Sequence, residues 1–111
     1  MIPSFQIGCD IVQIKRIRPS IAYKILTLNE LQEYEALSGN RAIEYLAGHF
    51  AAKEAIIKAI EKSITDFQAI EIQYDQNGKP YGFVDKKTIC LSISHEKDYA
   101  MAIAFCISSQ L

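Results

Sequence analysis

The amino-acid sequence predicts an α+β fold. The expected form is a single compact domain with an N-terminal strand, two helices of which one is long, and then antiparallel hairpin strands. Two observations carry this. After the opening strand, apolar residues recur at helical spacing from about Thr27, and after Asp66 they alternate as in strands. Asn77-Gly78 then gives the strongest short hairpin signal. The length of 111 residues, with 50% apolar, fits one domain over residues 1–111 with a core of its own.

The elements follow in order. Phe5 to Ile14 carries β-branched residues in partial alternation and reads as the opening strand. Pro19 closes any regular element there. Thr27-Leu28-Asn29-Glu30 has the form of a capping box, in which hydroxyl and carboxylate each satisfy a free N–H of a new helix. That short helix should turn Leu31, Tyr34 and Leu37 inward and close near Ser38-Gly39. Asn40 can cap the longest helix, expected to run to about Ser63 with Ile43, Leu46, Phe50, Ile57 and Ile60 on its apolar side. Strands over 69–74 and 81–84 flank the Asn77-Gly78 turn. A second antiparallel pair, 89–94 and 99–105, is joined by His95-Glu96-Lys97-Asp98.

Charge and composition exclude several classes. Twelve basic against 13 acidic residues leave a formal charge of −1, which argues against nucleic-acid binding through bulk positive charge. The longest apolar runs are a few residues, against the roughly 20 of a transmembrane helix, so no membrane association is expected. Met1 to Gln6 lacks the basic and apolar regions of a signal peptide. Cys9, Cys90 and Cys106 are odd in number, without C-x-x-C spacing, and read as reduced core thiols of a cytoplasmic protein.

Four places could carry chemistry. Asp10 is a carboxylate inside an apolar strand; it must face water, be hydrogen-bonded or be paired with a cation. In Phe50-Ala51-Ala52-Lys53-Glu54-Ala55-Ile56-Ile57-Lys58, Lys53 falls in the apolar arc and Glu54 borders it, one turn from Lys58. An i,i+4 surface pair explains Glu54 and Lys58 but leaves Lys53 unexplained. A phosphate–metal site accounts for all three, the carboxylate holding Mg²⁺ and the lysines neutralising phosphate oxygens. Asn77-Gly78-Lys79-Pro80 is explained by turn chemistry alone, although Lys79 at its tip could meet an anion. Ser92-Ile93-Ser94-His95 lacks the Gly-x-Ser-x-Gly elbow of a serine hydrolase, and a histidine at a strand end is commonly a turn residue. From Ile11 to Asn29 there are four cations, Lys15, Arg16, Arg18 and Lys24, and no acid: a solvated face, or a patch for an acidic partner.

Together these segments resemble the small bacterial holo-acyl-carrier-protein synthase family of 4′-phosphopantetheinyl transferases. The resemblance runs from Ile7 to about Ala104. It is carried by Ile7-Gly8-Cys9-Asp10-Ile11-Val12 with Arg16-Ile17, Phe50-Ala51-Ala52-Lys53-Glu54-Ala55 with Lys58-Ala59, Asn77-Gly78-Lys79-Pro80, and Ser92-Ile93-Ser94-His95 with Tyr99-Ala100. It implies transfer of the phosphopantetheine arm of coenzyme A to a serine of an acyl carrier protein, with adenosine 3′,5′-bisphosphate released.

It further implies that Asp10 and Glu54 bind Mg²⁺ with the coenzyme A pyrophosphate; Mn²⁺ suits the same oxygen ligands. Asp10, Glu54, Lys58 and His95 are then the catalytic set. Lys53, Lys58, Ser94 and His95 belong to the coenzyme, with Gly78, Lys79 and Pro80 at its adenosine end. Lys15, Arg16, Arg18 and Lys24 face the carrier protein, and the subunits form a homotrimer with sites at their interfaces. The chain departs from the family pattern in having no Gly-rich segment at 61–66, a short stretch between Arg16 and Thr27, and His49 where many relatives carry Arg. Two rival readings are a non-catalytic coenzyme A- or nucleotide-binding module of the same fold and a protein-interaction subunit with no small-molecule site.

Overall fold

A computed structural model describes residues 5–60 and 66–107. Strand β1 (Phe5–Gln13) is followed by 3-10 turns at Ile14–Arg16 and Pro19–Ile21 and a one-turn helix, α1 (Ala22–Ile25). Next come α2 (Leu28–Glu35) and the long α3 (Gly39–Ala59). A 3-10 turn at Phe67–Ala69 leads into β2 (Ile70–Tyr74), β3 (Pro80–Val84), β4 (Lys87–His95) and β5 (Tyr99–Ile107). The strands form one sheet in the order β1-β5-β4-β3-β2, every neighbouring pair antiparallel. The fold is α+β, as the change of period after Asp66 indicates.

Helix α3 crosses one face of this sheet, and small residues set its height. Ala51, Ala55 and Ala59 of the helix join Ala102 and Ala104 of β5 in the core, with Ile56, Ile70, Ile72, Ile89 and Leu91 filling the space toward β2–β4. At Gly8 the two backbones nearly touch: a Cβ there would lie 2.1 Å from the Ala55 carbonyl oxygen and 2.7 Å from the Ala59 nitrogen. Only glycine fits, and this contact seats β1 against the helix flank that carries Glu54 and Lys58.

The opposite face holds the large side chains. Phe5, Ile7, Cys9 and Ile11 alternate outward from β1, and Tyr99, Met101, Ile103 and Ile107 do so from β5. Ile7 and Ile11 are 65% and 64% exposed. Helix-facing positions of β1 are instead Gly8, Asp10 and Val12. Two cysteines assigned to the core follow this alternation: Cys9 and Cys90 lie on the outward face and are exposed, and Cys106 alone is buried.

Several expectations need correction. There is a third helix, α1, and Pro19 opens a 3-10 turn instead of ending structure, because its fixed φ and missing N–H suit a first helical position. Ser38, not Asn40, occupies the N-cap of α3, with Gly39 at φ +59° behind it. The helix ends at Ala59, since extended Ile60 turns into the core instead of continuing the spiral; Ser63 lies outside the described residues, as does the stretch 61–65. Ile43 is exposed. The capping box is present as read: Thr27 Oγ1 accepts from the Glu30 N–H at 3.2 Å and Glu30 Oε1 from the Thr27 N–H at 2.9 Å. The Asn77-Gly78 turn is also present, with Gly78 at φ +82° and Asp75 Oδ1 accepting from the N–H groups of Asn77 and Lys79. The β3–β4 connection had no Gly signal: Asp85 and Lys86 take positive φ, 54° and 64°, in a two-residue hairpin loop.

Candidate active site

Two groups of side chains stand out, at different ends of α3. At the first, the closeness of β1 and α3 at Gly8 brings Asp10, two residues on and on the same face, against the last turns of the helix. Lys58 Nζ donates to Asp10 Oδ1 at 3.2 Å and to the Cys9 carbonyl at 3.0 Å. Asp10 is only 16% exposed while Lys58 is 54% exposed, so the pair sits at the rim of the core with its cation toward solvent. Glu54, one turn before Lys58, is half-buried. Its carboxyl is held above the usual range by burial and then by the Asp10 charge, with Lys58 pulling the other way.

Two carboxylates from different elements thus repel each other beside one ammonium. A divalent cation relieves that repulsion, and the donor set is of the hard oxygen type that Mg²⁺ takes. Among the described residues, no group of three or more His, Cys, Asp or Glu forms a complete cage. Asp10 and Glu54 would therefore hold such an ion together with water or phosphate oxygens, the usual arrangement for Mg²⁺.

The second group lines a cleft of about 350 Å³ between the first turns of α3 and strands β2–β4. It holds Arg41, Glu44 and His49 from the helix, Tyr74 and Pro80 from the sheet, and His95 at the end of β4. His95 Nδ1 lies 3.6 Å from Glu44 Oε2. His49 is buried, its ring stacked on Tyr45 at 3.8 Å; burial pushes its pKa down to about 4 despite its bond to the Tyr45 carbonyl. Tyr74 is raised to about 12 by burial and by the charges of Glu33 and Glu30. Sequence reasoning missed Arg41, Glu44 and Tyr74. The signal was Arg41, Tyr45 and His49 at i, i+4 and i+8, one polar ridge on the helix.

Other expected site residues fall elsewhere. Lys53 does not reach a ligand surface: it is fully buried, its Nζ donating to Glu30 Oε1 at 2.6 Å and to the Ile25 and Phe67 carbonyls at 2.6 and 3.2 Å. Glu30 Oε2 accepts from the Ile72 N–H at 2.6 Å, so the pair ties α1, α2, α3 and β2 together. Burial drives the Lys53 ammonium below its usual range, and Glu30 opposes that. The apolar arc held a lysine because its partner came from α2. Ser94 and His95, adjacent at the end of β4, both line an outward hollow with Ile11 and Met101, and His95 reaches the cleft as well. Gly78 and Lys79 are exposed on the β2–β3 loop, and Lys79 lines a shallow outward hollow with Tyr81 and Cys90. Lys15, Arg16, Arg18 and Lys24 are all exposed on the 3-10 turns and α1, beside exposed Tyr23 and Leu28.

This fold, with paired carboxylates between its first strand and long helix, has known relatives. Residues 6–104 match the 4′-phosphopantetheinyl transferase superfamily, and the chain belongs to that family. It is 46% identical over 110 residues to the holo-[acyl-carrier-protein] synthase of Bacillus subtilis, covering 88% of this chain and 91% of that one. The Bacillus pumilus enzyme of the same name is 44% identical over 108 residues, covering 86% and 89%. A crystal structure of a holo-(acyl-carrier-protein) synthase from Bacillus anthracis in complex with CoA (3′,5′-ADP) superposes with a TM-score of 0.85 at 38% identity, covering 93% of this chain and 96% of that one. No helix among the described residues is long and apolar enough to cross a membrane.

Proposed function

We propose that the chain is a Mg²⁺-dependent holo-acyl-carrier-protein synthase. It moves the 4′-phosphopantetheine arm of coenzyme A to a serine of an apo-acyl carrier protein and releases adenosine 3′,5′-bisphosphate. The observation that carries this is the Asp10–Glu54 carboxylate pair beside Lys58, on a chain 46% identical to an enzyme of that name.

In the reaction the carrier serine gives up its hydroxyl proton, in the end to solvent, as its oxygen bonds to the phosphorus that bears the pantetheine. The bond from that phosphorus to the bridging oxygen breaks, and the electron pair leaves with the nucleotide. Such a transfer asks the protein for charge stabilisation and alignment more than for covalent help. Asp10 and Glu54 would hold the cation, which when bound would draw charge from the pyrophosphate oxygens. Lys58, its head more than half exposed, leans from Asp10 toward the same oxygens. Pro80 and His95 meet the nucleotide end in the cleft, with Gly78 and Lys79 on the loop above. Lys15, Arg16, Arg18 and Lys24 steer an acidic carrier without making the protein basic overall.

A homotrimer fits the outward sheet face. Ile7, Ile11, Ile103 and Ile107 form an apolar strip that a neighbouring copy would cover, and cyclic closure would leave no repeated edge free. The two site groups lie apart on one chain: ten residues of α3 separate Glu44 from Glu54, about 15 Å of helix. That separation supports sites assembled between subunits. The exposed thiols of Cys9 and Cys90 accord with a reducing cytoplasm.

The test is mass spectrometry of apo-carrier protein incubated with coenzyme A and Mg²⁺. A mass gain equal to the phosphopantetheine arm, abolished by chelator and restored by excess Mg²⁺, is expected. Coenzyme A binding without any mass gain would reject the enzyme in favour of a binding module. Light scattering should give three times the chain mass, and a monomer at micromolar concentration would remove the shared site.

A further inference from the structure

The cleft that meets the nucleotide end is built around a histidine with nothing left to give a ligand. His49 Nδ1 lies 2.7 Å from the Tyr45 carbonyl, which can only accept, so that nitrogen carries the proton. Nε2 lies 3.1 Å from the Tyr74 hydroxyl and accepts from it in the neutral ring, the form that burial favours by pushing the pKa down to about 4. One ring face is covered by Tyr45, with centroids 3.8 Å apart and planes 20° from parallel. Both nitrogens are committed, and the ring is neutral in this arrangement.

The rest of the lining cancels in charge. Arg41 is the one permanent cation among the residues that line the cleft, and Glu44 is the one carboxylate. His95, the remaining titratable base, faces that carboxylate. What the cleft offers instead is rigid surface: Tyr74, held by His49, stands with Pro80 and Ile93 around the opening. From this chain's own lining of the cleft, a phosphate dianion meets no net positive charge to replace its water.

We infer that His49 is a specificity-determining residue, which makes the cleft read the nucleotide end by shape and ring contact and leaves a phosphate on the ribose nearly unread. Coenzyme A and its analogue lacking the 3′-phosphate are then used with similar efficiency. The inference rests on the enzyme reading above and concerns the same site.

The experiment measures transfer to apo-carrier protein from coenzyme A and from 3′-dephospho-coenzyme A, with kcat/KM for each. The wild-type ratio should lie within about 10-fold, well short of the 10⁴–10⁵ by which a site built to bond a polar group rejects a substrate lacking it. His49→Arg, which adds a cation, should raise the preference for coenzyme A by about 10-fold or more. Glu44→Gln should move it the same way by removing the opposing charge, and serves if His49→Arg does not fold. A wild-type preference above about 10-fold, unmoved by either variant, would overturn the inference and place phosphate reading outside this cleft. Transfer from neither donor would instead overturn the enzyme reading, and the inference with it.

Discussion

Lys53 and Lys58 sit five residues apart on one helix and have opposite fates. Lys53 is enclosed, with a carboxylate and two carbonyls satisfying its three protons. Lys58 is more than half exposed, bonds Asp10 at 3.2 Å, and stands beside a Glu54 whose ionisation is penalised. The first region is electrostatically complete and resists change. The second is left with two carboxylates facing each other, and under the proposed function a bound cation and phosphate would complete it. A lysine's function is thus decided by whether its donors are already spent.

Removing each lysine should separate the two regions most clearly. Lys53→Met leaves the Glu30 carboxylate buried without its cation and should cost about 3–5 kcal/mol of stability, read by urea unfolding. Lys58→Met should stay within about 1 kcal/mol by the same measurement, as befits a solvent-facing pair, yet lose transferase activity. Equal destabilisation by both would erase the distinction.

The carboxylates come next in size. Glu54→Gln and Asp10→Asn should each slow transfer at least about 10²-fold at saturating Mg²⁺, a barrier increase of about 2.7 kcal/mol, with the fold intact by circular dichroism. Near-normal turnover in either would remove it from the metal site. Smaller again is Arg16→Glu, in the basic segment. It should raise KM for the carrier about 10-fold, weaken the salt dependence and leave coenzyme A unaffected. A change in coenzyme A affinity would move Arg16 into the donor site.

The subtlest test uses pH. In the metal-free protein Glu54 holds its proton above the usual glutamate range. The folded state therefore binds more protons than the unfolded state in the window just above that range, and stability falls as pH rises through it. Glu54→Gln should flatten that slope in denaturation curves taken across the window. Mg²⁺ affinity should weaken on acidification through the same window, as proton and metal compete for one carboxylate.

Local chemistry was legible from sequence and distant partnership was not. The Thr27 capping box and the Asn77-Gly78 turn lie within a few residues of their causes and stand where they were expected. So does the meeting of Asp10 with the Lys58 end of α3, which rests on two segments of a family pattern. Lys53 was misplaced because its partner lies 23 residues away, and the capping role of Glu30 used one oxygen while the other held the Ile72 N–H. Cys9 and Cys90 were misplaced because apolar alternation in β1 and β4 does not say which face the helix takes. Arg41, Glu44 and Tyr74 were missed because a cleft exists only once helix and sheet are assembled.

The near-contact of backbones at Gly8, flanked by the alanines of α3 and β5, has a mechanical consequence. Core contacts through long side chains can yield by rotamer changes, so the elements they join slide under load. Here main chain rests almost directly on main chain, and there are no rotamers through which to give. This strand and helix form a stiff joint, and under the proposed function the carboxylates mounted on its two halves would keep their relative position as a bulky substrate docks. Glycine and alanine contribute little hydrophobic free energy there. What they supply is low compliance, which fixes the geometry of the two carboxylates and the lysine beside them.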